Sequence, residues 1–176
     1  ICVRLVGSEM CIRDRSNSNS FGMRYESTTM GERVTQLYLD PLSASLIRTG
    51  LRRAVRRIVR EIGPVTNFGL LHLATSTPDF TSLWAKNSEM DANSNLWIKT
   101  NAVENELLSE SSYDEMLLSN VKSAWMIEMW TNEDNIRSIE KELDVNPGDI
   151  HYRVDIMEWL IPVSYTHLRA HETHTN

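Results

Sequence analysis

Near the end of the chain, Tyr152 and Trp159 stand seven residues apart, with Arg153 beside the first. Seven residues is close to two helical turns, so the two rings share a helix face. Ile150, Val154, Met157 and Ile161 recur at spacings of four, three and four and form an apolar stripe on the opposite side. Two large aromatics facing away from a core stripe have two readings. They pack against a second layer of structure, or they form a platform on which bases of a single strand stack, with Arg153 on the flank within reach of a phosphate. A second group with chemical potential is Arg48, Arg52, Arg53, Arg56, Arg57 and Arg60, with no acid among them. Such a row is a solvated face, or a surface that follows phosphates or meets another domain.

The elements that position these groups are helical. Asp40-Pro41 reads as an N-cap followed by proline at the first helical position. Ile47, Leu51, Ala54, Val55, Ile58 and Ile62 then form one stripe, with all six arginines on the other side, and Gly63-Pro64 stops the helix. Thr66-Asn67 opens an apolar helix running to about Thr75, a shorter helical piece is expected around 80–86, and another helix spans 96–108. Ser112 and Glu115 make a capping box for a helix with Leu118, Val121, Trp125 and Met129 on one side. Thr131 is expected to recap at once, with Glu133 and Asp134 in the next first turn, and that helix ends by Leu143. Asn146-Pro147 starts the last helix. In front, Phe21 to Ser27 reads as a short strand and Thr29 to about Tyr38 as a short helix. The fold class is all-α, a helical bundle preceded by a strand-bearing remnant.

The two ends of the chain carry a different signal. Val163 to Glu172 can be written with the codons GTC TCT TAT ACA CAT CTC CGA GCC CAC GAG, each legal for its residue. The reverse complement of that string translates as Leu5-Val6-Gly7-Ser8-Glu9-Met10-Cys11-Ile12-Arg13-Asp14, which is the sequence at the other end. Folding gives no reason for one terminus to be the antisense of the other, whereas an inverted sequencing adapter on both ends of a DNA fragment produces it automatically. Residues 1–15 and 163–176 are therefore set apart from the fold argument. Both cysteines, Cys2 and Cys11, go with them, as do His167, His171 and His174, whose spacing otherwise suggests a ligand cluster.

The retained 147 residues have 14 Lys and Arg against 21 Asp and Glu, a net charge of −7, so any contact with a polyanion is local. His72 sits in an apolar run and reads as a core histidine. Glu104, Glu106, Glu110, Asp114 and Glu115 form an acidic run without His or Cys partners, which reads as solvated charge and helix capping. No Gly-x-x-x-x-Gly-Lys-Ser/Thr phosphate loop occurs, so no cofactor is expected in this segment and it should not hydrolyse ATP. No apolar run approaches the roughly 20 residues of a membrane span, which points to an intracellular domain without a membrane partner.

Three stretches in order resemble the archaeal Ski-two-like superfamily-2 DNA repair helicases, relatives of the helicase region of polymerase theta. Thr29 to Ala44 is similar to the exit of that family's winged-helix domain. Phe68-Gly69-Leu70-Leu71-His72-Leu73 with Ser76-Thr77-Pro78-Asp79 is similar to its middle. Pro147-Gly148-Asp149-Ile150, Arg153-Val154 and Glu158-Trp159-Leu160 are similar to the start of its ratchet helix. The resemblance implies a winged-helix remnant over 16–40 and a truncated helical ratchet domain over 41–162. It also implies a parent that uses ATP and Mg²⁺ to move 3′ to 5′ on DNA, working on the nucleoid in the cytoplasm. The single strand would cross the last helix, with RecA-like domains elsewhere in the same chain. Trp159 would be the base-stacking residue. The family commonly places an arginine upstream on that face, whereas here Tyr152 stands seven before Trp159 and the arginine is Arg153. A Ski-two-like RNA helicase and a stand-alone helical interaction module are the alternatives.

Overall fold

A computed structural model describes residues 12–15, 24–27, 29–109 and 115–172. Among them, seven α-helices follow a two-stranded antiparallel pair: β1 (Ile12–Arg15), β2 (Arg24–Ser27), α1 (Thr29–Gln36), α2 (Pro41–Arg60), α3 (Asn67–Thr75), α4 (Asn95–Val103), α5 (Glu115–Thr131), α6 (Ile136–Leu143) and α7 (Pro147–Glu172). The architecture is all-α, with the strand pair in front. β1 lies inside the leading stretch 1–15, and α7 runs through most of the trailing one.

Local chemistry sets most of the helix boundaries. Asp40 Oδ1 accepts from Leu42 N at 2.7 Å, with Pro41 at the start of α2. Thr66 Oγ1 accepts from Gly69 N and caps α3. The cap of α6 is Asn135, whose side chain accepts from Arg137 N, and not Thr131. Glu133, expected in a helical first turn, instead takes φ 61° in the turn between α5 and α6. The box at Ser112 falls outside the described residues.

α5 is the central helix. Leu117 to Ala124, Met126 and Ile127 are all buried, so it is enclosed on every side rather than along one stripe. One core gathers Ala44 and Ile47 of α2, Met126 and Ile127 of α5, Ile139 and Leu143 of α6, and Ile150, Val154, Met157 and Leu160 of α7. A second core joins Phe68, Leu96, Val103 and Leu118. Gly50 lets α2 and α3 close up, since a Cβ there would lie 2.4 Å from Leu73 Cδ1.

Three expectations are corrected. Ile161 is 48% exposed and Leu160, one residue earlier, is fully buried in its place on the α7 stripe. The inward stripe of α2 stops at Ala54, because Val55, Ile58 and Ile62 are exposed. The piece around 80–86 is not a helix: after Phe80 the chain is extended through Lys86. From Leu83 to Lys86 burial alternates, with Leu83 and Ala85 buried and Trp84 and Lys86 exposed, the pattern of an extended chain.

This strap has no partner strand, so its backbone must find hydrogen bonds elsewhere. Side chains of α5 supply them. Leu83 N donates to Ser123 Oγ at 2.7 Å and Ala85 N to Ser119 Oγ at 3.1 Å. Buried Lys122 donates to Trp84 O at 3.3 Å and to both Glu89 carboxylate oxygens at 2.7 Å. These buried polar residues on the central helix match the needs of the strap, which explains their place in an otherwise apolar environment.

Candidate nucleic-acid interface

α7 presents Tyr152 and Trp159 outward, 54% and 41% exposed, while Ile150, Val154, Met157 and Leu160 are buried on its other side. Asp155 and Glu158 are exposed on one flank of this aromatic face. The two carboxylates make that flank unfavourable to a phosphate, so the chemistry this face offers is that of its rings rather than of positive charge. Next to Tyr152, the His151 ring stands edge-on to Trp130, with centroids 5.4 Å apart, joining α7 to the end of α5.

Arg153 does not flank the face as expected. It is buried, at 8% exposure. Its Nε donates to Thr81 O at 2.8 Å, its Nη1 to Asp149 O and Asp149 Oδ1 at 3.1 and 3.0 Å, and its Nη2 to Ser82 O at 3.5 Å. Four of five N–H donors are thereby engaged, and little is left for a phosphate. The guanidinium instead bolts the strap to the first turns of α7 and fixes the helix that carries the aromatic pair. The hydrogen bond from Arg153 also holds the Asp149 carboxyl below the usual carboxylate range.

The arginine row of α2 divides in two. Arg57 donates to Asn105 O and Leu107 O at 2.8 Å each, and Arg53 donates to Leu108 O at 2.8 Å. These two reach inward and satisfy carbonyls of the segment that follows α4, which corrects the expectation that all six face outward. Arg52, Arg56 and Arg60 are exposed. Arg48 is half-buried, and burial together with the neighbouring Arg52 charge holds it below the usual arginine value.

His72 is fully buried. Its Nδ1 lies 3.2 Å from Ser109 Oγ, its Nε2 has no hydrogen-bond partner, and burial lowers its pKa to about 4. A buried neutral imidazole in this setting is a core residue. Of the acidic run, Glu106 accepts from Thr66 Oγ1 at 2.6 Å across the α3 cap. No group of three or more His, Cys, Asp or Glu suited to a metal occurs among the described residues. No helix among them is long and apolar enough to cross a membrane.

One surface feature escaped the sequence reading. Trp84, on the strap, is 68% exposed and borders an open hollow of about 780 Å³ with Leu42, Leu46, Phe80, Leu83 and Met116. The sequence carried no signal for it, since Leu83, Trp84 and Ala85 are consecutive apolar residues with no polar alternation.

Comparison with known proteins matches this architecture. The ATP-dependent DNA helicase Hel308 of Methanocella arvoryzae is 37% identical over 151 residues, covering 81% of this chain and 19% of the relative. Hel308 of Thermococcus kodakarensis is 31% identical over 143 residues, 78% of this chain and 12% of the relative. Hel308 of Caldivirga maquilingensis is 30% identical over 148 residues, again covering 19% of the relative. The chain thus spans under a fifth of the length of these relatives. The family model for archaeal helicase domain 4 matches residues 68–175, from the start of α3 through α7, and the chain belongs to that family.

Proposed function

We propose that this chain supplies the single-strand-contacting ratchet domain of an ATP-dependent DNA helicase that translocates 3′ to 5′ in DNA repair. Residues 41–162 form that domain and 16–40 the end of a winged-helix domain. The observation that carries the reading is the exposed pair Tyr152 and Trp159, turned away from the core on a helix whose start is bolted down by Arg153. A rigid aromatic face of this kind suits base stacking, worth about 1–3 kcal/mol per base. The relatives named above are DNA helicases, which favours DNA over RNA as the strand.

ATP and Mg²⁺ belong to RecA-like domains elsewhere in the parent protein, because this chain has no phosphate loop to hold them. The parent works on the nucleoid, in the cytoplasm. The antisense ends, 1–15 and 163–176, stem from the DNA that was read and not from selection on the fold.

The test is Trp159→Ala in the complete parent helicase. Single-strand affinity and unwinding should fall, while the melting temperature changes little. A stability loss of the core type, about 3–5 kcal/mol, would make Trp159 a packing residue instead. Unchanged unwinding would remove its stacking role.

A further inference from the structure

On a helical wheel Ile58 lies within about 20–40° of Ile47 and Ala54. Ile47 and Ala54 are buried, yet Ile58 is 64% exposed. The three differ in position along the axis rather than in direction, because α2 runs past the edge of the bundle after Ala54. Val55, Val59 and Ile62 extend the exposed surface, at 58%, 75% and 68%. Aliphatic side chains left in water forgo the gain of burial, and none of these has a polar tip to offset it.

This end of the helix is held firmly. Glu61 closes it in the left-handed conformation, with Ile62 N donating to Arg57 O at 3.1 Å, and Arg53 and Arg57 clamp its inner side to the segment 105–108. The apolar patch is therefore displayed on a rigid projection. Arg52 and Arg56 border it on the outer side, and Pro41–Arg60 contains no acid.

We infer that the patch of Val55, Ile58, Val59 and Ile62, rimmed by Arg52 and Arg56, is the seat for an apolar, acid-rimmed face on another domain of the same polypeptide. The inference rests on the reading of this chain as part of a longer helicase. Four considerations choose this occupant. The chain spans only 19% and 12% of two relatives, so most of the parent's surface lies outside it. α2 also begins at Pro41, directly after the residues read as the end of a winged-helix domain, and so lies beside a boundary between domains. A second copy docking through the same patch would set arginine rim against arginine rim, which repels. Nucleic acid finds no ring to stack on among four aliphatic side chains.

The test places a photo-crosslinking residue at position 59 of the full-length parent and compares hydrogen exchange over 55–62 in the parent and in this chain. The expected result is an intramolecular crosslink to a site with neighbouring Asp or Glu, and exchange about tenfold slower in the parent. Ile58→Asp should leave the melting temperature of this chain unchanged but erase that extra protection in the parent. A crosslink to a second copy or to added single-stranded oligonucleotide overturns the inference, as does equal exchange in the two proteins or a destabilised Ile58→Asp chain. Loss of strand-stimulated ATPase bears only on the helicase reading: a parent that lacks it and still crosslinks internally separates the two.

Discussion

Arg153 Nε donates to the carbonyl of Thr81 at 2.8 Å, joining α7 to the extended strap across 72 residues of chain. With the bond to Asp149 one turn earlier on α7, a single guanidinium fixes the strap against the helix that bears Tyr152 and Trp159. Positioning of the aromatic face thus depends on a residue that does not belong to the face.

Arg153→Ala should lower stability by about 2–4 kcal/mol, because it leaves the part-buried carbonyls of Thr81 and Ser82 without their donor and removes a buried, packed stem. Arg153→Lys should recover little of this, since one ammonium cannot reach Thr81, Ser82 and Asp149 with the geometry of the planar fork. The salt dependence of single-strand binding should stay as in the unaltered protein. Denaturant unfolding checks the first two points and a salt titration the third; a shallower salt slope in Arg153→Ala, measured where that variant is folded, would return Arg153 to phosphate contact.

His72 ties stability to pH. Burial holds its folded pKa at about 4, below the ordinary histidine value of 6.5, so between those values the unfolded chain binds the extra proton. The contribution of the neutral imidazole is complete above about pH 6.5, declines as pH falls, and is gone below about pH 4. The full span amounts to about 3 kcal/mol. His72→Leu should flatten this part of the stability profile, measured as unfolding free energy from pH 7 to 4. Parallel profiles for the two proteins would contradict the assignment.

Tyr152→Arg places an arginine two turns before Trp159 on the same face of α7. In the parent it should steepen the fall of log affinity with log salt by about 0.7, the value for one added phosphate contact on a single strand. Stability should be unaffected, because Tyr152 is more than half exposed. An unchanged slope would place the strand's phosphates away from this turn of α7.

A chain reduced to residues 16–162 should melt at the same temperature as the full one. Among the residues whose burial is described, the hydrophobic cores draw on those between Val34 and Leu160. Thermal unfolding of the two proteins decides it. A drop of more than about 4 °C, on the order of 1 kcal/mol, would mean that β1 or the end of α7 contributes to the fold.

Helix after helix was legible from local chemistry. Asp40-Pro41 and Thr66 cap where their residue types require, and the spacing of Ile150, Val154 and Met157 predicts the buried side of α7. The outward placement of Tyr152 and Trp159 follows from the same periodicity. Helical period is a property of the backbone alone, so position in sequence is enough to sort faces. The antisense relation between the two ends is likewise written in the residues and needs no coordinates.

What escaped the sequence depends on where an element ends relative to its neighbours. Periodicity put Ile58 with Ile47 and Ala54, but only packing shows that α2 outruns the bundle and leaves Ile58 in water. The row of six arginines carries no mark of which two, Arg53 and Arg57, find carbonyls nearly fifty residues or more away. The strap over 81–86 is extended because Ser119, Lys122 and Ser123 of α5 and Arg153 of α7 offer its backbone better partners than a helix would. The sequence by itself determined most of the helices, the outward side of α7 and the family. The tertiary structure alone decided which polar side chains turn inward, because a long-range hydrogen bond depends on a meeting of distant segments that no local pattern records.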